Sequence, residues 1–308
     1  MIRYLLRRLL QSVIVLFIVS MVVFAIARLS GDPVTVMLPI GAPTSERHEL
    51  IRELGLDRPL PVQYFTFATN ALRGNLGESI RFHAPALSLV ADRLPNTVEL
   101  AVAAVMLALV FGIPLGIFAA LNSGGPVDHV VTFVTSVGQS IPSFWLGILL
   151  ILFLGVRLGV LPIAGNTDPN SIIMPAVSLA VIPLVAIIRL TRSSMIDVLR
   201  LDFVRTAHAK GLRRATVVVK HVLPNGLIPV ITYTGVIAGQ LLGGAVITEQ
   251  IFAWPGIGQL AIQSIGARDF AVVQTITLLT AAIVIALNLL VDFSYFFFDP
   301  RVREAARA

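Results

Sequence analysis

Long apolar runs alternate with polar segments along this chain, and six of the runs predict helices that cross a membrane. A spanning helix needs about 20 mainly apolar residues, because it rises about 1.5 Å per residue through a hydrocarbon core of about 30 Å. The pattern therefore predicts an all-α membrane protein with six transmembrane helices. The predicted spans are Leu9–Ala27, Leu100–Leu121, Val130–Val156, Met174–Ile188 with flanking residues, Leu227–Ile247 and Phe270–Val291.

The polar segments divide the chain into four predicted regions. These are residues 1–29 with the first span, an insertion at 30–95, spans 2 to 6 at 96–293 with a loop at 191–225, and a tail at 294–308. The first span ends in Ala25-Ile26-Ala27, which is typical of a signal-peptidase site. Its apolar run exceeds the about 7–15 residues of a signal peptide, which favours a retained span.

The insertion contains three short segments with helical character. Thr44 is a candidate cap for a helix that ends at Gly55, and residues 56–61 are expected to be extended because they hold two prolines. Val62–Leu72 and Pro85–Arg93 are expected to be separate amphipathic pieces. Such pieces lie at a membrane surface or cover the outer mouth of a pathway.

The composition agrees with a membrane protein and removes several classes of function. Of the 308 residues, 56% are hydrophobic and 13% are charged, whereas soluble chains carry roughly 25% charge. The chain has no cysteine, which excludes disulfides, thiolate metal sites and cysteine nucleophiles. Its five histidines never pair at ligand spacing, so no metal site is expected. The net charge of +6 lies in loops without interleaved aromatic residues, which argues against a nucleic-acid partner.

Loop charges predict the orientation of the six spans. The N-terminus, residues 122–129, residues 189–226 and the tail hold 14 Lys and Arg against 6 acids. The opposite side holds 9 Lys and Arg against 11 acids. Because Lys and Arg accumulate in cytoplasmic loops, both termini and the loop at 191–225 are predicted to be cytoplasmic.

A polar cluster interrupts the third predicted span. Its members are candidates for lining a translocation path and, equally, for hydrogen bonds between helices. The ionisable residues Glu99, Arg189, Glu249 and Asp292 are expected at the ends of spans, and the lack of deeper charge favours primary over ion-coupled transport. The members of the polar cluster are Ser136, Gln139, Ser140, Pro142 and Ser143.

Small residues predict where spans approach one another closely. Gly112 and Gly116 form a small-xxx-small pair around Pro114 in the second span. Three glycines at four-residue intervals in the fifth span, at 235, 239 and 243, are expected to form a packing face.

No nucleotide-binding loop is present in the sequence. A P-loop requires Gly-Lys-Ser/Thr, whereas the chain's two lysines, Lys210 and Lys220, follow Ala209 and Val219. The chain is therefore expected to be non-catalytic.

The basic loop contains the most specific pattern, DFVRTAHAKGLRRATVVVKHVLPN at 202–225. Asp202 is a candidate N-cap, Lys210 suits the last turn of a short helix, and Gly211 suits the left-handed position just past its end. A second helical run at 215–222 is expected to end near Leu223, because Pro224 disfavours helical geometry in the preceding residue.

This layout resembles the EAA loop of ATP-binding-cassette importer permeases, in the branch that imports dipeptides, oligopeptides and nickel. The resemblance implies a short helix that docks on a cytoplasmic ATPase. Arg205 departs from the motif's Glu, and His221 from its usual aliphatic residue. The residues assigned to the ATPase-coupling helix and its flanks are Asp202, Phe203, Arg205, Thr206, Ala207, Ala209, Lys210, Gly211, Leu223 and Pro224.

A second stretch, EQIFAWPGIG at 249–258, is similar to the outer loop of the same permeases. Pro255-Gly256 predicts a turn that re-enters the bundle. Phe252 and Trp254 suit either an outer gate or a passive interfacial anchor. The gate candidates are Glu249, Phe252, Trp254, Pro255, Gly256 and Gly258.

The resemblance extends over nearly the whole chain, and it implies a type I importer permease of the bacterial inner membrane. Implied partners are a second homologous permease, one or two ATPase subunits that bind ATP and Mg, an extracytoplasmic binding protein, membrane lipid and a peptide cargo. Nickel or glutathione cargo is an alternative, and an ion-coupled secondary transporter or a membrane scaffold is a more distant one. No cofactor is expected in this chain.

Overall fold

The computed structural model describes residues 2–29, 34, 38, 43–53 and 55–298. Within these residues every regular element is a helix, apart from one β-bridge between Glu78 and Pro85. The all-α fold class is therefore confirmed for the described part of the chain. The tail from residue 299 onward lies outside it.

The helices follow one another with short connections. In chain order they are α1 (Ile2–Leu29), α2 (Thr44–Glu53), α3 (Leu60–Leu72), α4 (Ala86–Leu121), α5 (Pro126–Ser140), α6 (Ser143–Leu150), α7 (Ile173–Leu199), α8 (Asp202–Ala209), α9 (Arg214–Val217), α10 (Leu223–Gly226), α11 (Ile228–Ile251), α12 (Ile257–Gly266) and α13 (Phe270–Phe298). Two π-helical turns, Ile151–Arg157 and Val218–Val222, follow α6 and α9, and a 3₁₀ turn, Pro169–Ile172, precedes α7.

The chain divides into two compact units. One comprises Met1–Thr97 and Pro255–Ala286, and the other Val98–Trp254 and Leu287–Ala308. The predicted boundaries at residues 29, 95 and 293 follow the membrane pattern instead, and they stay predictions.

The number of membrane spans agrees with the sequence. Four described helices are long and apolar enough to cross a membrane, and two further pairs of bent helices pass the same test together. Counting each bent pair as one span gives six. The first pair, α5 with α6 and its π-helical turn, bends by 94°, and the second, Arg214–Gly226 with Ile228–Gly243, bends by 43°.

The third predicted span, Val130–Val156, is not a single straight helix. α5 ends at Ser140, Ile141 has an extended backbone (φ −87°, ψ 118°), and α6 begins after Pro142. Proline disfavours helical geometry in the residue before it, which explains the break at Ile141.

The piece predicted at Pro85–Arg93 is wrong as a separate element. It is the first part of α4, a 36-residue helix that continues through Pro95 into the second span. Buried Ala86 and Val90, one turn apart, pack with residues of α12 and α13. This packing holds the N-terminal part of α4 in helical form although a proline follows.

In the rest of the insertion, α3 packs against α1. The predicted helices at Thr44–Gly55 and Val62–Leu72 correspond to α2 and α3, although Leu60 and Pro61, expected to be extended, begin α3. Tyr64 places its hydroxyl 2.8 Å from Ser20 Oγ and its ring edge-on against Phe24. An aromatic face of α3 therefore covers part of α1.

α7 is the most buried helix of its unit and extends further than predicted. The sequence predicted a span over Met174–Ile188 with flanking residues, and the helix continues to Leu199. Arg189 consequently lies inside the helix, and its predicted position at the end of a membrane span stays a prediction. The first charged residue after an apolar run therefore does not mark the end of a helix such as α7, which other helices cover.

The close approach predicted for the small-residue pair in α4 is confirmed. A Cβ placed on Gly112 would lie 2.8 Å from Ile187 Cγ2, and one on Gly116 would lie 2.6 Å from Thr191 Cβ. α4 and α7 are therefore in near backbone contact. The glycine repeat of α11 is less uniform: Gly235 faces the Val291 side chain, whereas a Cβ placed on Gly243 would meet no heavy atom within 4 Å outside the backbone of its own helix.

Candidate functional site

α8 forms where the basic loop predicted a short helix. Leu201 occupies the cap position with extended backbone, and the Asp202 side chain makes no capping hydrogen bond, so its predicted capping role is wrong. Asp202 is instead the first helical residue, where the helix dipole favours a negative charge. The chain leaves the helix at Lys210 and turns at Gly211, whose φ of 75° is the left-handed value predicted.

The two faces of α8 differ in burial. Val204 and Ala207 are 2% and 6% exposed, and they belong to a core cluster of the same chain. The other side of the helix and its end are exposed to solvent, so this side is free to contact a partner. The cluster comprises Ala120, Met195, Val198, Val204, Ala207, Val217, Val218 and Val222. The exposed residues are Asp202, Phe203, Arg205, Thr206, His208, Ala209 and Lys210.

The helical run after α8 does not end near Leu223 as predicted. α9 passes through the π-helical turn Val218–Val222 into α10, Leu223–Gly226. Pro224 is the second residue of α10, a position at which a helix loses nothing by lacking an N–H. The proline therefore starts a new helical segment instead of terminating the run.

The turn between α4 and α5 is attached to this segment. Arg214 Nη2 donates a hydrogen bond to the Leu121 carbonyl at 3.2 Å, and Ala120 belongs to the same core cluster as Ala207. Residues of α8 therefore share one core cluster with residues at the ends of α4 and α7.

The polar cluster of the third span is divided by the helix break. Ser136 and Ser140 donate to carbonyls of their own helix at 2.8 and 3.0 Å, while the Ser143 carbonyl accepts from buried Ser178 of α7 at 2.6 Å. Pro142 is exposed at the break. Of these side chains only Gln139 bonds to another helix, so hydrogen bonding between helices applies to this member alone, and the lining of a pathway stays a prediction.

Gln139 lies at a cavity of about 550 Å³ between α5, α7 and α11. Its Oε1 accepts a hydrogen bond from Arg189 Nη1 at 2.5 Å. Ser193 and Tyr233 are the other polar lining residues, and the remainder are aliphatic. Arg189 was not among the site candidates predicted from the sequence, because it was assigned to a span end.

The outer-loop residues are buried. Phe252 and Trp254 are 1% and 2% exposed, which excludes the passive interfacial anchor for their rings. The Trp254 N–H donates to the Glu249 carbonyl at 2.8 Å, and Gly165 donates to the Phe252 carbonyl at 2.9 Å. Gly147 leaves the space for the Phe252 ring, since a Cβ there would lie 3.1 Å from it.

The second half of this loop packs on the N-terminal part of α4. Asn96 donates to the Pro255 carbonyl at 2.8 Å, and the Ile257 N–H donates to Thr97 Oγ1 at 2.9 Å. Gly256 and Gly258 are buried, as is Thr97. The loop is therefore held by backbone and side-chain hydrogen bonds, and its gate role stays a prediction.

Two buried carboxylate contacts were not found by sequence reasoning. Asp128 at the start of α5 binds Arg192 of α7, and Asp269 before α13 accepts from Ser79 Oγ at 2.5 Å. The partners are 64 and 190 residues apart, and no spacing rule connects them. Among the described residues, no group of three His, Asp or Glu side chains is placed to hold a metal ion.

Comparison with known proteins gives two family matches that together cover nearly the whole chain. Residues 112–304 match the family described as binding-protein-dependent transport system inner membrane component. Residues 1–101 match the corresponding N-terminal family.

Individual relatives agree with this match over their full length. The chain is 41% identical to the di/tripeptide transport system permease protein DppB of Pseudomonas aeruginosa, with 99% of each chain covered. It is 38% identical to the oligopeptide transport system permease protein AppB of Bacillus subtilis, with 97% of this chain and 98% of that one covered. A solved structure of the MetNI methionine ABC transporter, 19% identical, matches with a TM-score of 0.58 over 68% of this chain and 96% of that one, which supports the fold.

Proposed function

Because the chain belongs to the family of binding-protein-dependent transport system inner membrane components, we propose that it imports di- and oligopeptides as the permease subunit of an ATP-driven transporter. It is a multi-pass protein of the inner membrane. The peptide cargo is supported by the relatives, which transport di- and tripeptides or oligopeptides and align over nearly the full chain.

The observation that carries the coupling role is the division of α8 into a buried and an exposed face. Val204 and Ala207 anchor the helix in the core of its own chain, while Phe203 keeps 42% of its surface exposed beside basic residues. An exposed aromatic side chain on a fixed helix is a suitable anchor for a protein partner. The partner is an ATPase subunit whose closure on ATP moves α8 and the helix ends packed on it.

The remaining partners are a second permease and an extracytoplasmic binding protein. One permease supplies six spans, and the pathway forms where two permeases meet. The orientation indicated by the loop charges places both termini and α8 in the cytoplasm. It places the insertion and the 249–258 loop outside. Reporter fusions after Arg214 and after Gly77 test this, since the first should report cytoplasm and the second the outside.

Energy dependence separates this proposal from an ion-coupled carrier. The chain would be purified with the subunits encoded beside its gene and reconstituted in proteoliposomes with its binding protein. Uptake of labelled trialanine should require ATP with Mg and persist when an ionophore removes the proton gradient. Uptake driven by the gradient without ATP would refute the proposal. If ATP drives uptake of glutathione or nickel and not of trialanine, the ATP-driven mechanism is retained and the peptide cargo is wrong.

The docking role of α8 has its own test with a matched control. Phe203→Ala should reduce recovery of the ATPase subunits with the tagged permease, because it removes the exposed aromatic anchor. Phe82→Ala removes a similarly exposed phenylalanine, 37% exposed, from the insertion and should leave ATPase recovery unchanged. Equal recovery with both variants would refute docking through Phe203.

A further inference from the structure

Arg189 places a fixed positive charge within the candidate membrane span Pro169–Leu199. It is the seventeenth of the 27 residues of α7, about 24 Å from the start of the helix and about 15 Å from its end. Charged residues are rare in spans because they are costly in lipid, and those present face a protein interior or a water-filled cavity. The exposed surface of Arg189 therefore does not face lipid in the assembled transporter.

The Arg189 side chain does not extend in the same direction as that of Arg192, which lies nearer the end of α7. One turn later in α7, Arg192 binds Asp128 near the start of α5. Arg189 instead binds Gln139, eleven residues further along α5, which is about 16 Å. The two guanidinium groups thus contact positions about 16 Å apart along α5, and Arg189 reaches away from the turn that holds Asp128.

The Arg189 guanidinium has unused capacity for hydrogen bonds. It carries five N–H donors, and among the described residues its one partner is Gln139 Oε1. The cavity lining contains no acidic residue, so nothing in it neutralises the charge. Gln139 fixes the guanidinium, while Ser193 and Tyr233 add hydroxyl groups to the same wall. The arrangement is suited to an anion that enters the cavity.

We propose that Arg189, oriented by Gln139, binds the C-terminal carboxylate of a peptide during its passage through the membrane. The inference rests on the peptide cargo proposed above. A guanidinium binds a carboxylate through two parallel hydrogen bonds, a geometry that lysine does not reproduce. The cavity of about 550 Å³ is within the range of small-ligand sites, about 300–1,000 Å³, and suits a short peptide. A single charge without a second anchor holds the cargo weakly enough for release.

The test compares a peptide with and without its carboxylate. Reconstituted transporter would be assayed with trialanine and with trialanine amide, each at a concentration that saturates the binding protein by calorimetry. Arg189→Gln should lower the maximal trialanine uptake rate at least tenfold and leave the half-saturating concentration of loaded binding protein unchanged. Its uptake of the amide should equal that of the wild type. Arg189→Lys should give an intermediate rate for trialanine.

A matched control uses the exposed arginine at the end of the same helix. Arg200→Gln removes one positive charge outside the cavity and should leave both uptake rates unchanged. The same ratio of trialanine to amide uptake in Arg189→Gln and wild type would overturn the inference, because the charge would not recognise the carboxylate. Loss of the other subunits from purified Arg189→Gln transporter would also overturn it, since Arg189 would then serve the subunit interface.

Failure of the proposed function gives a different result. If the wild-type transporter imports neither peptide with ATP, the peptide cargo is wrong and the carboxylate site is rejected with it. If the wild type imports trialanine and Arg189→Gln imports it equally well, the carboxylate site alone is rejected.

Discussion

Arg192 and Asp128 form a two-pronged ion pair, with Nε 2.5 Å from Oδ1 and Nη2 2.7 Å from Oδ2. The Gly124 N–H adds a third hydrogen bond to the same carboxylate at 2.9 Å. The Asp128 side chain is 6% exposed and that of Arg192 is 33% exposed. The pair fixes α7 to the first turn of α5, next to the segment that carries α8.

We expect Asp128→Asn to destabilise the permease by more than an exposed ion pair would, because it leaves a half-buried arginine without its counter-charge. Exposed pairs contribute about 0.2–1 kcal/mol, whereas breaking a buried pair costs about 3–5 kcal/mol. An intermediate loss of about 2 kcal/mol should appear as a lower melting temperature of the purified protein. Asp197→Asn, an exposed acid of α7, is the control.

A double-mutant cycle checks that the loss comes from the pair itself. Asp128→Asn combined with Arg192→Gln should cost clearly less than the two single changes added together. Additive losses would show that the two side chains act independently.

Ala207 and Ala209 test the two faces of α8 with the same substitution. Ala207→Asp places a charge in the core cluster of the chain and should reduce the yield of folded protein, at a cost of more than about 3 kcal/mol. Ala209→Asp changes the exposed face and should leave the melting temperature unchanged while uptake and ATPase recovery fall. Normal uptake by Ala209→Asp would argue against docking through this face.

Gly211 tests the backbone requirement at the end of α8. Its φ is 75°, and a Cβ at this position would meet no heavy atom within 4 Å, so the cost of a side chain is conformational. Gly211→Val should destabilise the segment by more than about 1–2 kcal/mol, because β-branched residues are strained in the left-handed region. Gly211→Asn should retain most of the uptake, since asparagine tolerates this region. Equal loss in both variants would indicate that a side chain is excluded by a partner.

The number of spans and the turn at Gly211 could be predicted from sequence because both depend on local properties. In lipid each span must satisfy its own backbone hydrogen bonds, so a long apolar run is a helix whatever its neighbours. The turn at Gly211 could be predicted because glycine readily adopts the left-handed conformation and follows a short polar helix. The prolines show the limit of this reasoning, since Pro142 breaks its helix while Pro95 does not. The difference arises from what packs around each helix.

The charged residues of the site could not be placed from sequence. Arg189 was assigned to a span end because it is the first charge after an apolar run, yet helix packing continues to Leu199. The contact of Arg192 with Asp128 joins residues far apart in the chain. Likewise, the sequence identified Ala207 as part of a motif without indicating that it faces its own core.

Gly116 and Gly243 test whether the close approach of α4 and α7 is required for stability. A Cβ on Gly116 would lie 2.6 Å from Thr191 Cβ and 2.8 Å from the Ile188 carbonyl oxygen, so Gly116→Ala must displace backbone. We expect a loss of about 1–3 kcal/mol, as for other overpacked positions. Gly243 lies inside α11, where a Cβ would meet no heavy atom within 4 Å outside the backbone of its own helix, and Gly243→Ala should gain about 0.5–1 kcal/mol from helix propensity. Melting temperatures of the isolated permease should therefore shift in opposite directions, and a fall in both would show that α11 is also closely covered at Gly243.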